Sequence, residues 1–332
     1  MRTGILSLIG GTPLIKLERV VSHPFINLYA KIEALNPGGS IKDRTALNIL
    51  TEAFARGALE VGDTVVESSS GNMGIGLAQA CAYMGLKFIC VVDPKTTAQN
   101  INILKAYGAQ IEMITEPDPV TGEYLSVRIE RVQQLLHIYP NSFWPDQYSN
   151  LSNPLAHHTT MHEIVTALEG QVDYLFVATS TCGTIRGCSE YIKQQGMSTK
   201  VIAVDAVGSI IFGGEKAKRL IPGHGAAIRP QLFQLGMAVE CVHISDLDCV
   251  LSCRRLVSQE AILTGGSSGA VFAAFEQLQH RIPSSSNCVM IFADRGERYL
   301  DTIYSDSWVQ EHFGDIGYAE GGIKAEVYLA TA

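Results

Sequence analysis

Short apolar runs rich in Val and Ile alternate with amphipathic stretches along the chain. Buried strands are predicted over Thr64–Glu67, Phe88–Val92, Tyr174–Ala178, Val201–Asp205 and Cys288–Phe292, with a weaker one over Gln110–Ile114. Helical patterns follow over 74–84, 98–107, about 124–138, 184–195 and 270–279. This alternation predicts an α/β protein with mainly parallel sheets, flanking helices, and ligands at the carboxyl ends of strands.

Length and charge narrow the class of protein. A chain of 332 residues predicts about two domains, and 141–154, rich in Asn, Ser and Pro, is the best boundary between them. The net charge of −8 and the absence of a Lys/Arg cluster argue against a nucleic-acid partner. No apolar run approaches the ~18 residues of a membrane span, and Ile5–Ile9 is too short for a signal peptide. We therefore expect a soluble cytoplasmic protein without a membrane partner.

Cysteine usage fits the same compartment. The eight cysteines are scattered, mostly in apolar surroundings, and none forms a C-x-x-C pair. Buried free thiols are therefore favoured over disulfides or a zinc site. We predict no metal.

One turn delivers a lysine to the start of a helix. The run Asn-Pro-Gly-Gly-Ser-Ile-Lys-Asp-Arg covers 36–44, where the Pro and Gly residues favour a tight turn and Ser40 can cap the helix that follows. The positive helix end favours the neutral form of Lys42, and a lysine with a lowered pKa is a nucleophile and a Schiff-base former. Taken alone, a solvated surface lysine would be the simpler interpretation.

Two further loops each follow a predicted strand and open a helix. The loop Ser68–Asn72 combines three hydroxyls with backbone amides at a helix N-terminus, which suits a carboxylate or phosphate, although such turns often only cap helices. The loop Ser180–Thr184 has the same composition and fits a phosphate monoester. It lacks a Walker lysine, so one phosphate on a small cofactor fits better than a nucleoside triphosphate.

The late run Gly265–Gly269 matches the G-x-S-x-G nucleophile elbow of serine hydrolases. That motif needs a buried strand before it and an Asp and then a His later in the chain. The stretch 260–264 is at best a short strand, and neither His280 nor His312 follows a strand end. A hydrolase is therefore disfavoured.

The four motifs, in this order, resemble those of the fold-type II pyridoxal-phosphate enzymes of the cysteine synthase and cystathionine β-synthase group. The likeness extends from Ile9–Leu14 to Gly296–Leu300, nearly the whole chain. It implies a tryptophan synthase β-like fold with pyridoxal 5′-phosphate between two α/β domains. We expect the smaller domain over 41–145, the larger over 1–40 plus 146–315, and a loosely held tail over 316–332. The resemblance also implies a homodimer acting on small amino-acid substrates.

Roles for individual residues follow from the resemblance. It places Lys42 as the catalytic lysine that binds the cofactor covalently, Asn72 beside the cofactor 3-hydroxyl, and Ser267 at the pyridine nitrogen. A neutral serine there favours elimination and replacement over transamination. The cofactor phosphate would be held by Ser180, Thr181, Cys182, Gly183 and Thr184. The substrate amino acid would be held by Ser68, Ser69, Ser70, Gly71, Asn72 and Gln147.

Departures from the usual cysteine synthase pattern indicate a branch. These include Ser180-Thr181-Cys182 in the phosphate loop, Tyr148 where Phe is usual, and the run Asp294–Asp301. They are similar to the siderophore and diaminopropionate branch, whose enzymes join O-phospho-L-serine to the amino group of L-glutamate. A cysteine synthase that uses sulfide, or a silent regulatory homologue that binds a ligand, remain the alternatives.

The two acidic substrates of that branch would need an additional cation in the cleft. Together they carry three carboxylates and a phosphate, and the arginine fork suits such groups. We predict that Arg128 binds one of them and that Tyr148 adds a hydroxyl donor. The simpler alternative is a solvated helix arginine paired with Glu112, Glu123 or Glu130.

Overall fold

The structure is a computed structural model that describes residues 3–21, 25–119, 122–316, 318–319 and 322–323. Its strands are β1 (Leu14–Lys16), β2 (Asn27–Ile32), β3 (Thr64–Ser68), β4 (Lys87–Val92), β5 (Gln110–Met113), β6 (Ser142–Phe143), β7 (Tyr174–Ala178), β8 (Lys200–Ala206), β9 (Glu240–Ile244), β10 (Asn287–Phe292), β11 (Tyr318–Ala319) and β12 (Gly322–Ile323). Its helices are α1 (Lys42–Ala55), α2 (Asn72–Met84), α3 (Ala98–Ala106), α4 (Leu125–Ile138), α5 (Ser152–Ala167), α6 (Gly183–Gln194), α7 (Asp246–Glu260), α8 (Gly266–Leu278) and α9 (Asp306–Phe313).

Two open sheets organise these elements. The larger has six strands in the order β1-β2-β10-β7-β8-β9, all parallel except that β1 runs antiparallel to β2. The smaller has four parallel strands in the order β5-β4-β3-β6. The strands β11 and β12 form a separate antiparallel pair. The predicted α/β fold with mainly parallel sheets is confirmed.

Helices cover both faces of the sheets, which explains why the central strands are apolar throughout. On one face of the larger sheet, Phe275 of α8 packs edge-on against Phe176 of β7, with ring centroids 5.9 Å apart. On one face of the smaller sheet, Val132 and Leu135 of α4 join Val66 in a common apolar cluster. Each sheet therefore has its own core. The division into a smaller domain over 41–145 and a larger one over 1–40 plus 146–315 stays a prediction.

Predicted and observed elements agree where the apolar runs are long. All six predicted strands are present, as β3, β4, β5, β7, β8 and β10, and the five predicted helices begin within four residues of α2, α3, α4, α6 and α8. Strand β2 was not predicted because its pattern is interrupted by Lys31, a residue that is 1% exposed in the structure. Most of the predicted tail at 316–332 lies outside the described residues.

A buried ionic network fixes the helix that carries Lys42. The Arg44 Nε donates to Glu33 Oε2 at 2.7 Å, and Arg44 Nη2 donates to Glu163 Oε2 at 2.7 Å. Lys31 Nζ donates to that same Glu163 oxygen at 2.6 Å. These charges are paired and hydrogen-bonded, as buried ions must be. The network joins β2, α1 and α5 beneath the lysine turn.

Three expectations concern groups that bear on function. All eight cysteines are free, and seven of them are buried, as predicted. Within the described ranges, no group of three or more His, Cys, Asp or Glu side chains could hold a metal ion. The helices seen in those ranges are all too short or too polar to cross a membrane.

Candidate active site

A cavity with an empty volume of about 460 Å³ opens at the carboxyl ends of β7 and β10. Three separately predicted motifs meet there. Its lining includes Lys42, the whole Ser180–Thr184 loop and Ser267 of α8. Apolar side chains complete the walls, among them Ile41, Val177 and Ile291. The structure therefore brings together residues that are 225 positions apart in the chain.

Lys42 begins α1 with its amine inside the protein. Burial lowers the pKa of Lys42 from the ordinary 10.5 to about 8, although the carboxylate of Asp294 acts in the opposite direction. The positive end of α1 was expected to lower the pKa of Lys42, whereas desolvation by burial is the largest cause in the structure. Ser40 does not cap α1 as expected. Its hydroxyl accepts a hydrogen bond from Lys42 N at 3.2 Å, and Ile41 occupies the N-cap position.

The turn before Lys42 is fixed by backbone contacts. Gly39 has φ of 87°, a conformation that favours glycine, and donates its N–H to Asn36 O at 2.8 Å. Gly38 N donates to Asp43 Oδ2 at 2.5 Å. Burial raises the pKa of Asp43 to about 7, and its Oδ1 has no hydrogen-bond partner among the described residues. The turn holds the lysine backbone rigidly at the cavity edge.

The Ser180–Thr184 loop is anchored by a residue of α5, Asn153. Asn153 Nδ2 donates to Thr181 Oγ1 at 3.3 Å, and the Asn153 carboxamide fills the space beside Gly183 so closely that a Cβ there would meet it at 2.0 Å. Cys182 has φ of 65°, in the left-handed region where most side chains are strained. The loop ends at the N-terminus of α6, whose free amides suit an anion.

A buried histidine connects this loop to the lysine helix. His157 Nε2 lies 3.3 Å from Thr184 Oγ1 and 3.2 Å from Thr45 Oγ1. Burial holds the pKa of His157 well below its ordinary value, and the charges of Lys42 and Arg44 act in the same direction. The ring is therefore neutral at physiological pH.

The Ser68–Asn72 loop lies at the carboxyl end of β3. Ser69 Oγ accepts a hydrogen bond from Gly74 N at 2.9 Å, and Ser70 O accepts one from Asn100 Nδ2 at 3.0 Å. The buried Ser68 hydroxyl has no hydrogen-bond partner within the described ranges, and a Cβ on Gly71 would meet nothing within 4 Å. This loop therefore has free hydroxyl capacity and open space beside it. It does not line the Lys42 cavity.

Asn72 connects that loop to the larger sheet. Its Nδ2 donates to Asp294 Oδ2 at 2.7 Å, and Tyr299 Oη donates to the same oxygen at 2.5 Å. Asp294 follows β10 and is 2% exposed. Burial raises the pKa of Asp294, while Tyr299, Asn72, Arg298 and Lys42 act in the opposite direction. Asn72 and Lys42 thus share Asp294 as a neighbour.

Three further predicted substrate residues, Arg128, Gln147 and Tyr148, are not in the lining of the Lys42 cavity. Arg128 Nε lies 3.4 Å from Asp93 Oδ2, not from Glu112, Glu123 or Glu130, and the side chain is 11% exposed. Two of its nitrogens, Nε and Nη1, have no hydrogen-bond partner among the described residues. The alternative of a solvated surface arginine is therefore wrong.

Tyr148 lies within the electrostatic reach of Arg128. Burial raises the pKa of Tyr148, and the charges of Arg128 and Arg219 act against that rise. Gln147 links Glu67 with Asn153, since its N donates to Glu67 Oε2 at 3.4 Å and its O accepts from Asn153 Nδ2 at 2.7 Å. Burial raises the pKa of Glu67 to about 7.

The serine hydrolase alternative lacks its scaffold. Ser267 lies in the first turn of α8, and the segment before it forms only an isolated bridge between Thr264 and Arg295. His280, in a short 3₁₀ helix beyond the far end of α8, is exposed. No nucleophile elbow is present in these residues.

The cavity matches the functional groups of pyridoxal phosphate. An amine of lowered pKa faces the cavity for the aldehyde, and the α6 amides with neighbouring hydroxyls suit the phosphate. Ser267 offers a neutral hydroxyl for the ring nitrogen, and the apolar walls suit the ring faces. The residues present therefore fit the cofactor.

Three residues with clear structural roles, Asn153, His157 and Asp294, were not predicted from the sequence. Asn153 and His157 support the Ser180–Thr184 loop, and Asp294 holds Asn72. Each acts through contacts distant in sequence. The only available signal was their polar character beside apolar runs, which does not separate them from surface residues.

Comparison with known proteins agrees with this geometry. Residues 5–294 match the family described as pyridoxal-phosphate dependent enzyme. The chain is 43% identical over 306 residues to N-(2-amino-2-carboxyethyl)-L-glutamate synthase of Ralstonia nicotianae, covering 92% of this chain and 90% of that protein.

Solved structures show the same fold. An O-acetylserine dependent cystathionine β-synthase from Helicobacter pylori is 32% identical with a TM-score of 0.85, covering 92% of this chain and 99% of the other. A cysteine synthase from Entamoeba histolytica is 32% identical with a TM-score of 0.86, covering 92% and 91%. The chain belongs to the family of pyridoxal-phosphate dependent enzymes, as a fold-type II enzyme of the cysteine synthase type that carries out β-replacement.

Proposed function

We propose that the protein joins O-phospho-L-serine to L-glutamate, giving N-(2-amino-2-carboxyethyl)-L-glutamate and phosphate. The observation that carries this proposal is the 43% identity, over nine-tenths of both chains, to a synthase of that name. The partly buried Arg128 supports it, because it supplies an additional cation that a sulfide-using enzyme would not need. The product would serve 2,3-diaminopropionate and siderophore biosynthesis.

The cofactor would be held by the residues around the Lys42 cavity. Lys42 would bind it covalently, Ser180 to Thr184 would hold its phosphate, Ser267 its ring nitrogen and Asn72 its 3-hydroxyl. When bound, pyridoxal phosphate withdraws electrons from the substrate α-carbon, which permits loss of the α-proton and then of the β-substituent. The protein contributes orientation and proton transfer.

Lys42 would carry the proton in the proposed reaction. With a pKa of about 8, its Nζ can both accept and release a proton near neutral pH. It would take the α-proton of phosphoserine and later return a proton to the same carbon. General acid–base catalysis of this kind contributes roughly 10²–10⁴-fold to the rate.

The Ser68–Asn72 loop would bind the substrate α-carboxylate. The unpartnered Ser68 hydroxyl and the amides at the N-terminus of α2 supply donors to a negative charge. Gln147 would help to place the amino acid. Arg128 and Tyr148 would bind a second anionic group, either the phosphate of phosphoserine or a carboxylate of glutamate.

One incubation tests the reaction. Holoenzyme with O-phospho-L-serine and L-glutamate should release phosphate and form a product that mass spectrometry identifies as the glutamate adduct. Parallel incubations replace glutamate with sulfide or phosphoserine with O-acetylserine. Cysteine as the faster product would establish the cysteine synthase alternative. No product in any arm would indicate a silent ligand-binding homologue.

Arg128→Leu refines the substrate assignment, with Arg131→Leu as the matched control. Arg131 lies one turn along the same helix, where it pairs with Glu112 at the surface. Arg128→Leu should impair reaction with one of the acidic substrates while leaving bound-cofactor absorbance intact. Wild-type kinetics for both substrates would remove Arg128 from the site.

We also infer a homodimer in solution. The family resemblance is the basis of this inference, and the apolar side chains Ile228, Leu235 and Val239, which are 61%, 90% and 67% exposed, are available to such an interface. Light scattering of the purified protein measures the mass directly. A mass near 35.9 kDa, that of one chain, would contradict the inference.

A further inference from the structure

Asp294 occupies a junction between the two sheets. It follows β10 of the larger sheet, and its carboxylate receives the side chain of Asn72, the first residue of α2 beside the smaller sheet. Its backbone is held too, because Thr264 Oγ1 donates to Asp294 O at 3.2 Å. A Cβ on Gly265 would meet Asp294 Oδ1 at 2.1 Å, so only glycine leaves room for this carboxylate.

The chemistry of the carboxylate fixes the orientation of Asn72. An ionised carboxylate can only accept hydrogen bonds, so the amide nitrogen of Asn72, and not its oxygen, must face Asp294. Tyr299 Oη donates to the same oxygen, Oδ2, and thereby holds that oxygen in place. One N–H of Asn72 is therefore committed, while its second N–H remains for another acceptor.

Charged groups surround this contact. Lys42 of α1 and Arg298 both act on the Asp294 carboxylate, and Cys253 of α7 and Tyr304 lie within its electrostatic reach. Its second oxygen, Oδ1, is buried without a hydrogen-bond partner among the described residues. A polar atom buried in this way is costly, and a purely structural role would be served as well by an apolar side chain.

We propose that Asp294 is a positioning residue that, supported by Tyr299, orients Asn72 so that its second N–H donates to the 3-oxygen of the cofactor. The inference rests on the proposed function only in using Asn72 as the group beside that oxygen. It assigns to the Asp294–Tyr299 pair a role that the motif order alone does not indicate. Asp294 acts on the cofactor through Asn72 and not by direct contact.

The test is a double-mutant cycle on cofactor affinity. Apoprotein carrying Asp294→Ala, Asn72→Ala or both is titrated with pyridoxal phosphate and followed by absorbance. Each single substitution should weaken affinity ~10-fold, the equivalent of one hydrogen bond to a charged group. Because Asp294 acts through Asn72, the double variant should bind no more weakly than Asn72→Ala alone.

Additive losses in the double variant would show that Asp294 supports the site independently, which would overturn the proposal. Unchanged affinity in Asp294→Ala would overturn it as well. Should Asp294→Ala fail to fold, Asp294→Leu preserves volume without an acceptor and enters the same cycle, where coupling to Asn72 is again required.

A pair of tyrosines supplies the matched control. Tyr299→Phe removes the hydroxyl that holds Asp294 and should weaken cofactor affinity, whereas Tyr304→Phe removes one that instead donates to Thr264 O at 2.5 Å. Equal losses of cofactor affinity in the two variants would mean that Asp294 contributes only general packing and does not position Asn72. Cofactor affinity does not depend on which nucleophile the enzyme uses. A failed cycle therefore remains distinguishable from a failed glutamate assignment.

Discussion

The two strand-end loops of this protein have similar sequences but different degrees of anchoring. Both follow a parallel strand, carry neighbouring hydroxyls and open a helix. In the Ser180–Thr184 loop, Thr181 and Thr184 are in contact with Asn153 and His157 of α5. In the Ser68–Asn72 loop, the Ser68 hydroxyl is unpartnered among the described residues and the space beside Gly71 is open.

The difference fits the two groups that the loops are proposed to bind. A resident cofactor phosphate is best served by a loop fixed in advance, because no ordering cost is then incurred on binding. A substrate that enters and leaves at every turnover is better served by a loop that can move and close. Composition alone does not distinguish the two loops, whereas their hydrogen-bond partners do.

Lys42, which faces the anchored loop, should give the largest effect. Its pKa of about 8, against the ordinary 10.5, corresponds to a cost of about 3 kcal/mol for burying the protonated amine. The unfolded chain binds this proton more tightly than the folded protein does. The folded protein is therefore destabilised by the full amount below pH 8, and this destabilisation disappears as the pH rises towards 10.5. Lys42→Met apoprotein should therefore be more stable at pH 7 but not at pH 10.5.

Urea unfolding of the two apoproteins across this pH range measures the difference. If wild type and Lys42→Met were equally stable at pH 7, the amine of Lys42 would be solvated in the folded protein and the cavity edge would be open to water.

Next in size, Gly183→Ala should destabilise the protein by ~2–3 kcal/mol, because the new Cβ would displace the buried Asn153 side chain. Gly71→Ala is the matched substitution in the other loop. Gly71 has φ of −142° and free space beside it, so this substitution should destabilise the protein by less than ~1 kcal/mol. Thermal unfolding compares them, and equal losses would remove the contrast between the loops.

Thr184→Val should weaken cofactor binding by ~1.5–3 kcal/mol, the value of a hydrogen bond to a charged group. Thr160→Val is its control, since Thr160 Oγ1 lies 3.3 Å from the other nitrogen of His157, away from the cavity. Titration of both apoproteins with cofactor separates the roles. If Thr184→Val reduced stability and left affinity unchanged, the residue would be only a helix cap.

The smallest effect is expected in the Ser68–Asn72 loop. Ser68→Ala removes a buried hydroxyl without a partner and should raise apoprotein stability by ~1 kcal/mol, whereas Ser69→Ala breaks its bond to Gly74 N and should lower it by a similar amount. If Ser68 binds the substrate carboxylate, its variant should also show a raised KM for phosphoserine with unchanged cofactor affinity. A destabilised Ser68→Ala would mean that the hydroxyl is already engaged within the protein.

Much of the architecture was predictable because long apolar runs produce buried parallel strands. The fold class and six strands followed from these patterns, and the meeting of Lys42 with Ser267 was implied by the family resemblance. Strand β2 was not predicted, since a buried Lys31 needs partners from elsewhere in the chain, here Thr12 O and Glu163, which is 132 residues away. The roles proposed for individual site residues remain predictions.

The sequence by itself determined the alternation of strands and helices, the lysine turn and the order of the loops, because these depend on local periodicity and turn chemistry. Only the tertiary structure decided which hydroxyls are anchored and which are free. It also decided that Arg128 lies partly buried beside Asp93 and that Asn72 meets Asp294 across 222 residues. Such contacts depend on how two sheets pack, and the energy of a polar group is set by the partners that packing provides.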